Sequence, residues 1–187
     1  MQDAKPIFKI LALLLTVLLL FMVPPVVLLG LENDPDLWAF LESMALALVV
    51  SLSLLAWTWR TPVELKTRHM FILTTSSWAA ISAFASLPLV LGAPQLSFTD
   101  AVFESVSAIT TTGSTVLVGI ENLSDGLKLW RGLMQWLGGI GIIVMAIAIL
   151  PFLKVGGMRL FQTESSDWSD KVLPRAGGLP RPRRSSI

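Results

Sequence analysis

Three consecutive threonines and a glycine, Thr110 to Gly113, are the residues of this chain best suited to binding a metal ion. They follow a polar stretch, Ser97 to Ile109, that is too short to cross a membrane as a helix. Main-chain carbonyls in such a loop can replace the hydration shell of a cation. A helix ending there would also direct its partially negative terminus toward the ion. The segment therefore predicts a re-entrant helix followed by a cation-binding loop.

The details of this segment are also predictable. Ser97 or Thr99 is suited to capping the short helix, with Asp100 in its first turn. Thr110 to Thr112 are expected to be extended, because β-branched residues favour that conformation. Gly113 permits backbone geometry that other residues resist. The threonine-glycine string alone is a weak motif, so an ordinary threonine-rich turn outside the membrane stays open at this point.

Apolar runs on both sides of the loop indicate the fold class. Hydrophobic residues make up 53% of the 187 positions and charged residues 14%, well below the roughly 25% of soluble domains. Each run has about the 20 residues that a helix needs to span a bilayer. The runs cover residues 10–31, 37–59, 70–91 and 129–153. We predict an all-α membrane protein with about four transmembrane helices, one re-entrant pore helix and a filter loop.

The distribution of basic residues predicts the orientation of these spans. Of the fourteen Lys and Arg residues, all but Lys128 and Arg131 fall on one face of the four-span arrangement. Because basic loops stay inside, this face and both termini are expected to be cytoplasmic. The opposite face is expected to be acidic and so to attract cations. Its acidic residues are Glu32, Asp34, Asp36, Asp100, Glu121 and Asp125.

Other function classes find little support in the composition. The chain has no cysteine, one histidine and no cluster of residues with the spacing of metal ligands. Gly138, Gly139 and Gly141 lie inside a span, where they favour close helix packing over nucleotide binding. Trp130 and Trp136 are expected to be interfacial anchors. We therefore predict no enzymatic activity, no cofactor and no nucleic-acid partner, with membrane lipid as the surroundings.

The wider pattern resembles the first pore repeat of the Trk/Ktr/HKT potassium transporter family and is most similar to its bacterial Trk membrane subunits. The resemblance covers residues 5–177. The matching segments are Leu96–Ala101, Thr110–Thr115, Leu129–Leu133, Gln135–Gly141, Ala148–Pro151 and Val155–Met158. It implies two leading helices in residues 1–69, a span–pore loop–span repeat in 70–158 and a cytoplasmic tail in 159–187.

The same resemblance implies the site. The main-chain oxygens of Thr111 and Thr112 would coordinate potassium, which is the transported substrate and the one metal expected. Gly113 would shape the filter, with Thr110 and Ser114 beside it. Glu104, on the pore helix, is costly within a membrane unless it is paired or hydrated. We expect Glu104 to support the loop through a neighbouring amide or, alternatively, to face a vestibule.

Family members work with four such loops, and only one is found here. Residues after Gly177 are rich in Pro, Arg and Ser, which suggests an out-of-frame end, although a basic tail that touches anionic lipid is the alternative. The expected function is potassium transport by a Trk-type subunit truncated to one of four repeats. The alternatives are a non-conducting fragment and a homotetrameric pore. The resemblance further implies a homo-oligomer, a cytoplasmic nucleotide-binding regulatory partner and the bacterial inner membrane.

Overall fold

The computed structural model describes residues 4–63 and 67–149, and this part of the chain is helical and without strands. The helices are α1 (Lys5–Glu32), α2 (Asp36–Thr58), α3 (Thr67–Ala85), α4 (Leu87–Leu91), α5 (Phe98–Ile109) and α6 (Asp125–Ile149), and a 3₁₀ turn lies at Ile120–Asn122. The four segments Lys5–Glu32, Asp36–Thr58, Arg68–Leu91 and Asp125–Ile147 are long and apolar enough to cross a membrane. The predicted all-α membrane fold is confirmed.

Helices α1 and α2 form an antiparallel hairpin. Helix α1 ends at Asn33, which adopts a left-handed conformation with φ 55° and donates its N–H to the carbonyl of Leu29. In the middle of the hairpin, the hydroxyls of Thr16 and Ser51 share a hydrogen bond of 2.9 Å. Ser51 Oγ also lies 2.9 Å from the carbonyl oxygen of Ala12. These polar contacts satisfy hydroxyl groups that lie between apolar surfaces, where an unpaired hydroxyl would be costly.

The third predicted span is broken near its outer end, which corrects the expectation of one continuous helix. Helix α3 ends at Ala85 and α4 begins at Leu87, with Ser86 between them. Pro88 has no N–H and its ring disfavours a continuous helix at this point. The amide of Leu89 bonds to Ser86 at 3.0 Å, so the carbonyl of Ala85 is released from the helix ladder.

Trp130 uses that released carbonyl. Its indole Nε1 donates to the Ala85 oxygen over 3.0 Å, and the side chain is 0% exposed. Its ring packs edge-on against Phe40, with centroids 6.0 Å apart. Trp130 is therefore a core residue of α6, and the expectation that it is an interfacial anchor is wrong. Trp136, at 61% exposure, does lie on the outer surface of the helices.

Asp36 connects the hairpin to the rest of the described structure. It is 3% exposed, and its Oδ1 accepts from the amide of Ala93 at 2.6 Å while its Oδ2 accepts from Ser124 Oγ at 2.7 Å. Ala93 precedes α5 and Ser124 precedes α6. Asp36 thus joins three segments, and because it is buried and hydrogen-bonded it is not one of the exposed acidic residues of the outer face.

The buried core lies where these helices meet. Ala101, Ala108 and Ile109 bury one face of α5 in it. The rest of the cluster comes from the other helices and includes Leu15, Leu18, Met22, Leu29, Phe40, Ala85, Leu89, Leu127, Trp130 and Met134. Burial of this face fixes the orientation of a 12-residue helix that could not span the bilayer. The loop after α5 is held in place through it.

Candidate ion-binding loop

Helix α5 begins with a reciprocal cap. Ser97 Oγ accepts a hydrogen bond from the amide of Asp100 over 3.2 Å and donates one to Asp100 Oδ2 over 2.7 Å. The carboxylate lies in the first turn, where the positive end of the helix dipole favours it. Of the two capping residues that the sequence allowed, the structure uses Ser97.

The other end of α5 turns sharply into the loop. Thr111 donates its N–H to the carbonyl of Ala108 at 3.0 Å, and Thr112 donates to Ser107 at 2.9 Å. This pair of bonds is the Schellman arrangement, in which the residue after the cap is left-handed. That residue is Thr111, with φ 57°. Glycine normally occupies this position, because a side chain is strained there.

Thr111 is therefore a strained residue at the site that the sequence indicated. A β-branched residue at positive φ is an outlier that costs about 1–3 kcal/mol. Thr110 has φ −80° and ψ 4°, which is also not extended. The expectation that Thr110 to Thr112 form an extended run is wrong at Thr110 and Thr111, because these two residues form the turn that ends α5. Such strain is commonly found at functional sites.

Gly113 gives the loop its second left-handed residue. Its φ is 79°, and a Cβ added there would meet no atom within 4 Å. The position therefore requires glycine for its backbone conformation and not for lack of space. Every residue from Thr110 to Val116 is exposed in the described chain. The residues of this loop are consequently not buried against the described helices.

Two hydroxyl groups support the turn. Ser107 Oγ donates to the carbonyl of Ser114 over 2.6 Å, and this bond draws the loop back toward α5. Thr110 Oγ1 bonds to the carbonyl of Val106 and lies 2.8 Å from Thr112 Oγ1. The hydroxyls of Thr110 and Thr112 are thus engaged with each other, and that of Thr110 is also engaged with the helix. The carbonyls of Thr111 and Thr112 make no hydrogen bond with the rest of the described chain.

Glu104 holds the returning limb of the loop. The side chain is 1% exposed, and its Oε2 accepts from the amide of Val116 at 3.1 Å. Thr115 Oγ1 lies 3.0 Å from both carboxylate oxygens. Arg131 on α6 donates to Oε1 from Nε at 2.8 Å and from Nη2 at 2.5 Å. The contacts are those of a residue that supports the loop, which is one of the two roles that the sequence predicts for Glu104.

Arg131 is a residue of this candidate site that the sequence does not predict. The sequence indicates only that it is one of two basic residues on the outer side. The available signal was physical: an acid on a membrane-embedded helix requires a positive charge or water. Arg131 supplies that charge with two hydrogen bonds to one oxygen, in a pair where its side chain is 18% exposed and that of Glu104 is 1% exposed.

The backbone of α6 approaches the C-terminal end of α5 very closely. A Cβ added to Gly138 would lie 1.7 Å from the carbonyl oxygen of Ile109, the last residue of α5. A Cβ on Gly139 would meet nothing within 4 Å, and one on Gly141 would only touch Trp78 at 4.0 Å. Of the three glycines expected to permit close packing, Gly138 is the one that sets the position of the pore helix.

We predict that Gly138→Ala destabilises the protein and that Gly139→Ala does not. The added methyl group of Gly138→Ala would collide with a backbone carbonyl, and overpacking of this kind costs about 1–3 kcal/mol. Gly139→Ala should be neutral or stabilising by up to about 1 kcal/mol, since alanine favours a helix. Titration with sodium dodecyl sulphate measures the free energy of unfolding of both variants. Equal free energies of unfolding in the two variants would contradict the close approach at Gly138.

We predict opposite effects of glycine at two adjacent loop positions. Thr111→Gly should raise the free energy of unfolding by about 1 kcal/mol, because it relieves the left-handed strain. Thr112→Gly should lower it by about 1 kcal/mol, because Thr112 has a negative φ and glycine adds freedom to the unfolded chain. Thermal melting in detergent compares the two. A loss of stability in Thr111→Gly would show that the turn is not strained.

Comparisons with known proteins show the family of the chain. The TrkH family, described as a cation transport protein, matches residues 38–176, which include α5, the loop and α6. The chain belongs to the TrkH family. It is 68% identical over 178 residues to the Trk system potassium uptake protein TrkI of Halomonas elongata, covering 94% of this chain and 36% of that protein. It is 43% identical over 128 residues to TrkH of Escherichia coli, covering 67% and 26%.

A solved TrkH structure has the same fold. The crystal structure of the potassium transporter TrkH from Vibrio parahaemolyticus superposes with a TM-score of 0.76 and 36% sequence identity, covering 88% of this chain and 36% of that one. The chain thus spans about a third of the length of the TrkH-family relatives that it matches. The family resemblance predicted from the sequence is confirmed, and the TrkH family consists of transporters and not of enzymes.

The loop can act on an ion only through oxygen atoms. Within residues 4–63 and 67–149, no three His, Cys, Asp or Glu side chains come together in a way that could hold a metal. Thr111, Thr112 and Gly113 lie together at the turn, with Thr110 and Ser114 on either side of it. Glu104 lies behind the turn. The coordination of potassium by Thr111 and Thr112 stays a prediction.

Proposed function

We propose that this chain contributes one filter loop to a potassium pathway across the bacterial inner membrane. The main-chain oxygens of Thr111 and Thr112 coordinate the ion, and Gly113 shapes the turn between Thr110 and Ser114. The observation that carries the proposal is the strained, exposed turn at Thr111 and Gly113 (φ 57° and 79°) directly after a half-length helix. The names of the relatives, which are potassium uptake proteins, support potassium as the ion.

Electrostatics favour a cation at this loop. The C-terminal end of α5 carries a partial negative charge and points at the turn. The one buried carboxylate nearby, Glu104, is neutralised by Arg131, so the loop itself carries no net side-chain charge. Selection by neutral carbonyl dipoles is the mechanism by which known potassium filters replace the hydration shell. The loop therefore binds an ion weakly enough to release it.

A complete pathway needs several such loops around one axis. In our proposal these come from further copies of the chain or from further repeats. The basic inner face, with both termini in the cytoplasm, is then the side on which a nucleotide-binding regulatory partner docks. The alternative is that the 187-residue chain alone does not conduct.

Reconstitution of the purified chain into liposomes tests the proposal. The vesicles are loaded with potassium, and the uptake of radioactive rubidium driven by the outward potassium gradient is measured. Crosslinking in the same vesicles reports the oligomeric state of the chain. We expect saturable uptake that external potassium competes better than sodium does, together with a crosslinked tetramer. Uptake equal to that of protein-free vesicles, with monomers after crosslinking, would contradict conduction by this chain and support the non-conducting alternative.

A further inference from the structure

A second site lies at the opposite end of the α1–α2 hairpin from its connecting turn. An open cavity of about 680 Å³ is lined there by Lys5, Ala56, Trp57, Trp59, Arg60 and Thr61. Its volume is within the range of about 300–1,000 Å³ that is typical of small-ligand sites. It is separate from the filter loop, which follows α5, and no part of the proposed potassium pathway uses it.

The cavity is basic. Lys5 and Arg60 both line it, and no acidic residue of the described chain does. Lys9, one turn further along α1, donates to the carbonyls of Thr61 at 2.9 Å and Trp59 at 3.5 Å. Those carbonyls follow the C-terminal end of α2, which carries a partial negative charge. Lys9 therefore offsets the partial negative charge of this helix end.

The beginning of α1 contributes its helix dipole to the same place. Helix α1 begins at Lys5, no acidic residue lies in its first turn, and its second residue, Pro6, has no N–H to donate. The positive end of the helix dipole favours negative charge there. Lysine and arginine side chains are groups that bind phosphate.

Aromatic side chains form another part of the cavity lining. Trp57 is 50% exposed and Trp59 is 78% exposed, both beside the basic residues. Lys5 Nζ lies 5.6 Å from the Trp57 ring centre, and Phe8 packs edge-on against the same ring. Exposed tryptophans are typical of the interface between headgroups and acyl chains. The site is thus basic on one side and apolar on the other.

We propose that this cavity binds the phosphate headgroup of an anionic phospholipid. Lys5 and Arg60 bind the phosphate, and Trp57 and Trp59 lie against the upper acyl chains. Basic pockets between helices on the cytoplasmic side of a membrane are suited to such headgroups. A soluble phosphate ion offers the same charge but nothing to contact the tryptophans, so we favour the lipid.

Native mass spectrometry of the full chain in detergent tests the site. The protein is titrated with phosphatidylglycerol, phosphatidylcholine or glycerol phosphate, and the fraction carrying one added molecule is measured. We expect phosphatidylglycerol to bind at lower concentration than the other two. The double variant K5Q/R60Q should bind it about 30-fold more weakly, since each basic residue near a membrane surface contributes about a fivefold factor.

Two further variants keep the result interpretable. R68Q/K128Q also removes two positive charges, but neither residue lines the cavity, so its affinity should stay within about twofold of the original. K5R/R60K retains both charges and should bind nearly as well, which would show that the positive charge at these two positions is what the lipid requires. Equal binding of phosphatidylcholine, equal losses in the two glutamine variants, or glycerol phosphate binding as tightly as the lipid would each overturn the proposal.

Discussion

Replacement of Gly113 by aspartate is expected to abolish potassium uptake by any assembly of this chain that conducts. The residue has φ +79°, a conformation that side chains other than that of glycine rarely adopt. Aspartate would either move the turn out of this conformation or place a carboxylate among the carbonyls that we propose as ligands. In the first case the oxygens are displaced, and in the second a fixed charge holds the cation too tightly to pass.

Gly119→Asp is the matched control for this variant. Gly119 also has a positive φ, +69°, and lies in the same connection between α5 and α6, but outside the proposed filter. Both variants carry a comparable backbone cost of about 1–3 kcal/mol. Rubidium uptake should be lost in Gly113→Asp and largely kept in Gly119→Asp. Unchanged rubidium uptake in the Gly113 variant would contradict the proposal that this loop forms the filter.

Glu104→Gln is expected to lower the free energy of unfolding by about 3–5 kcal/mol, because it leaves Arg131 without its partner in a largely buried site. The amide of Val116 and the hydroxyl of Thr115 would also lose a charged acceptor. The returning limb of the loop would then be poorly held, and we expect potassium uptake to fall with stability. Titration with sodium dodecyl sulphate measures the first effect and rubidium uptake the second.

A second ion pair, which lies within α6, provides the control. Lys128 and Asp125 lie 3.1 Å apart, but their side chains are 38% and 63% exposed. Lys128→Gln should therefore change stability by no more than about 0.5 kcal/mol. In the double variant E104Q/R131Q, the loss should be smaller than the sum of the two single losses, since neither charge is left alone. Additive losses would show that the two residues do not act as a pair.

The sequence predicted the helices well because their apolar length is a direct physical requirement of the membrane. It also predicted the short helix, since Ser97 and Asp100 have the spacing of a cap. The break at Ser86 was missed, although Pro88 was a visible signal for it. Proline occurs within α1 as well, at Pro24 and Pro25, without ending that helix. The presence of proline alone therefore does not determine whether a helix is interrupted or continues.

The contacts within the site depended on tertiary structure and could not be predicted in detail. The left-handed Thr111 contradicts the preference of a β-branched residue and is imposed by the way α5 ends. Trp130 is buried because a carbonyl is released 45 residues earlier in the chain. The pairing of Glu104 with Arg131 joins positions 27 residues apart. No local sequence pattern indicates either of these two long-range contacts.

The central claim is that the carbonyls of Thr111 and Thr112 contact potassium. Carbon-13 labelling of threonine carbonyls in bilayer-reconstituted protein, with the two resonances assigned by substitution, tests it by solid-state NMR. Exchange of sodium for potassium should shift the Thr111 and Thr112 carbonyl signals and leave those of Thr74 and Thr75, on α3, unchanged. Signals at Thr111 and Thr112 that stay the same in both ions would contradict the proposed filter.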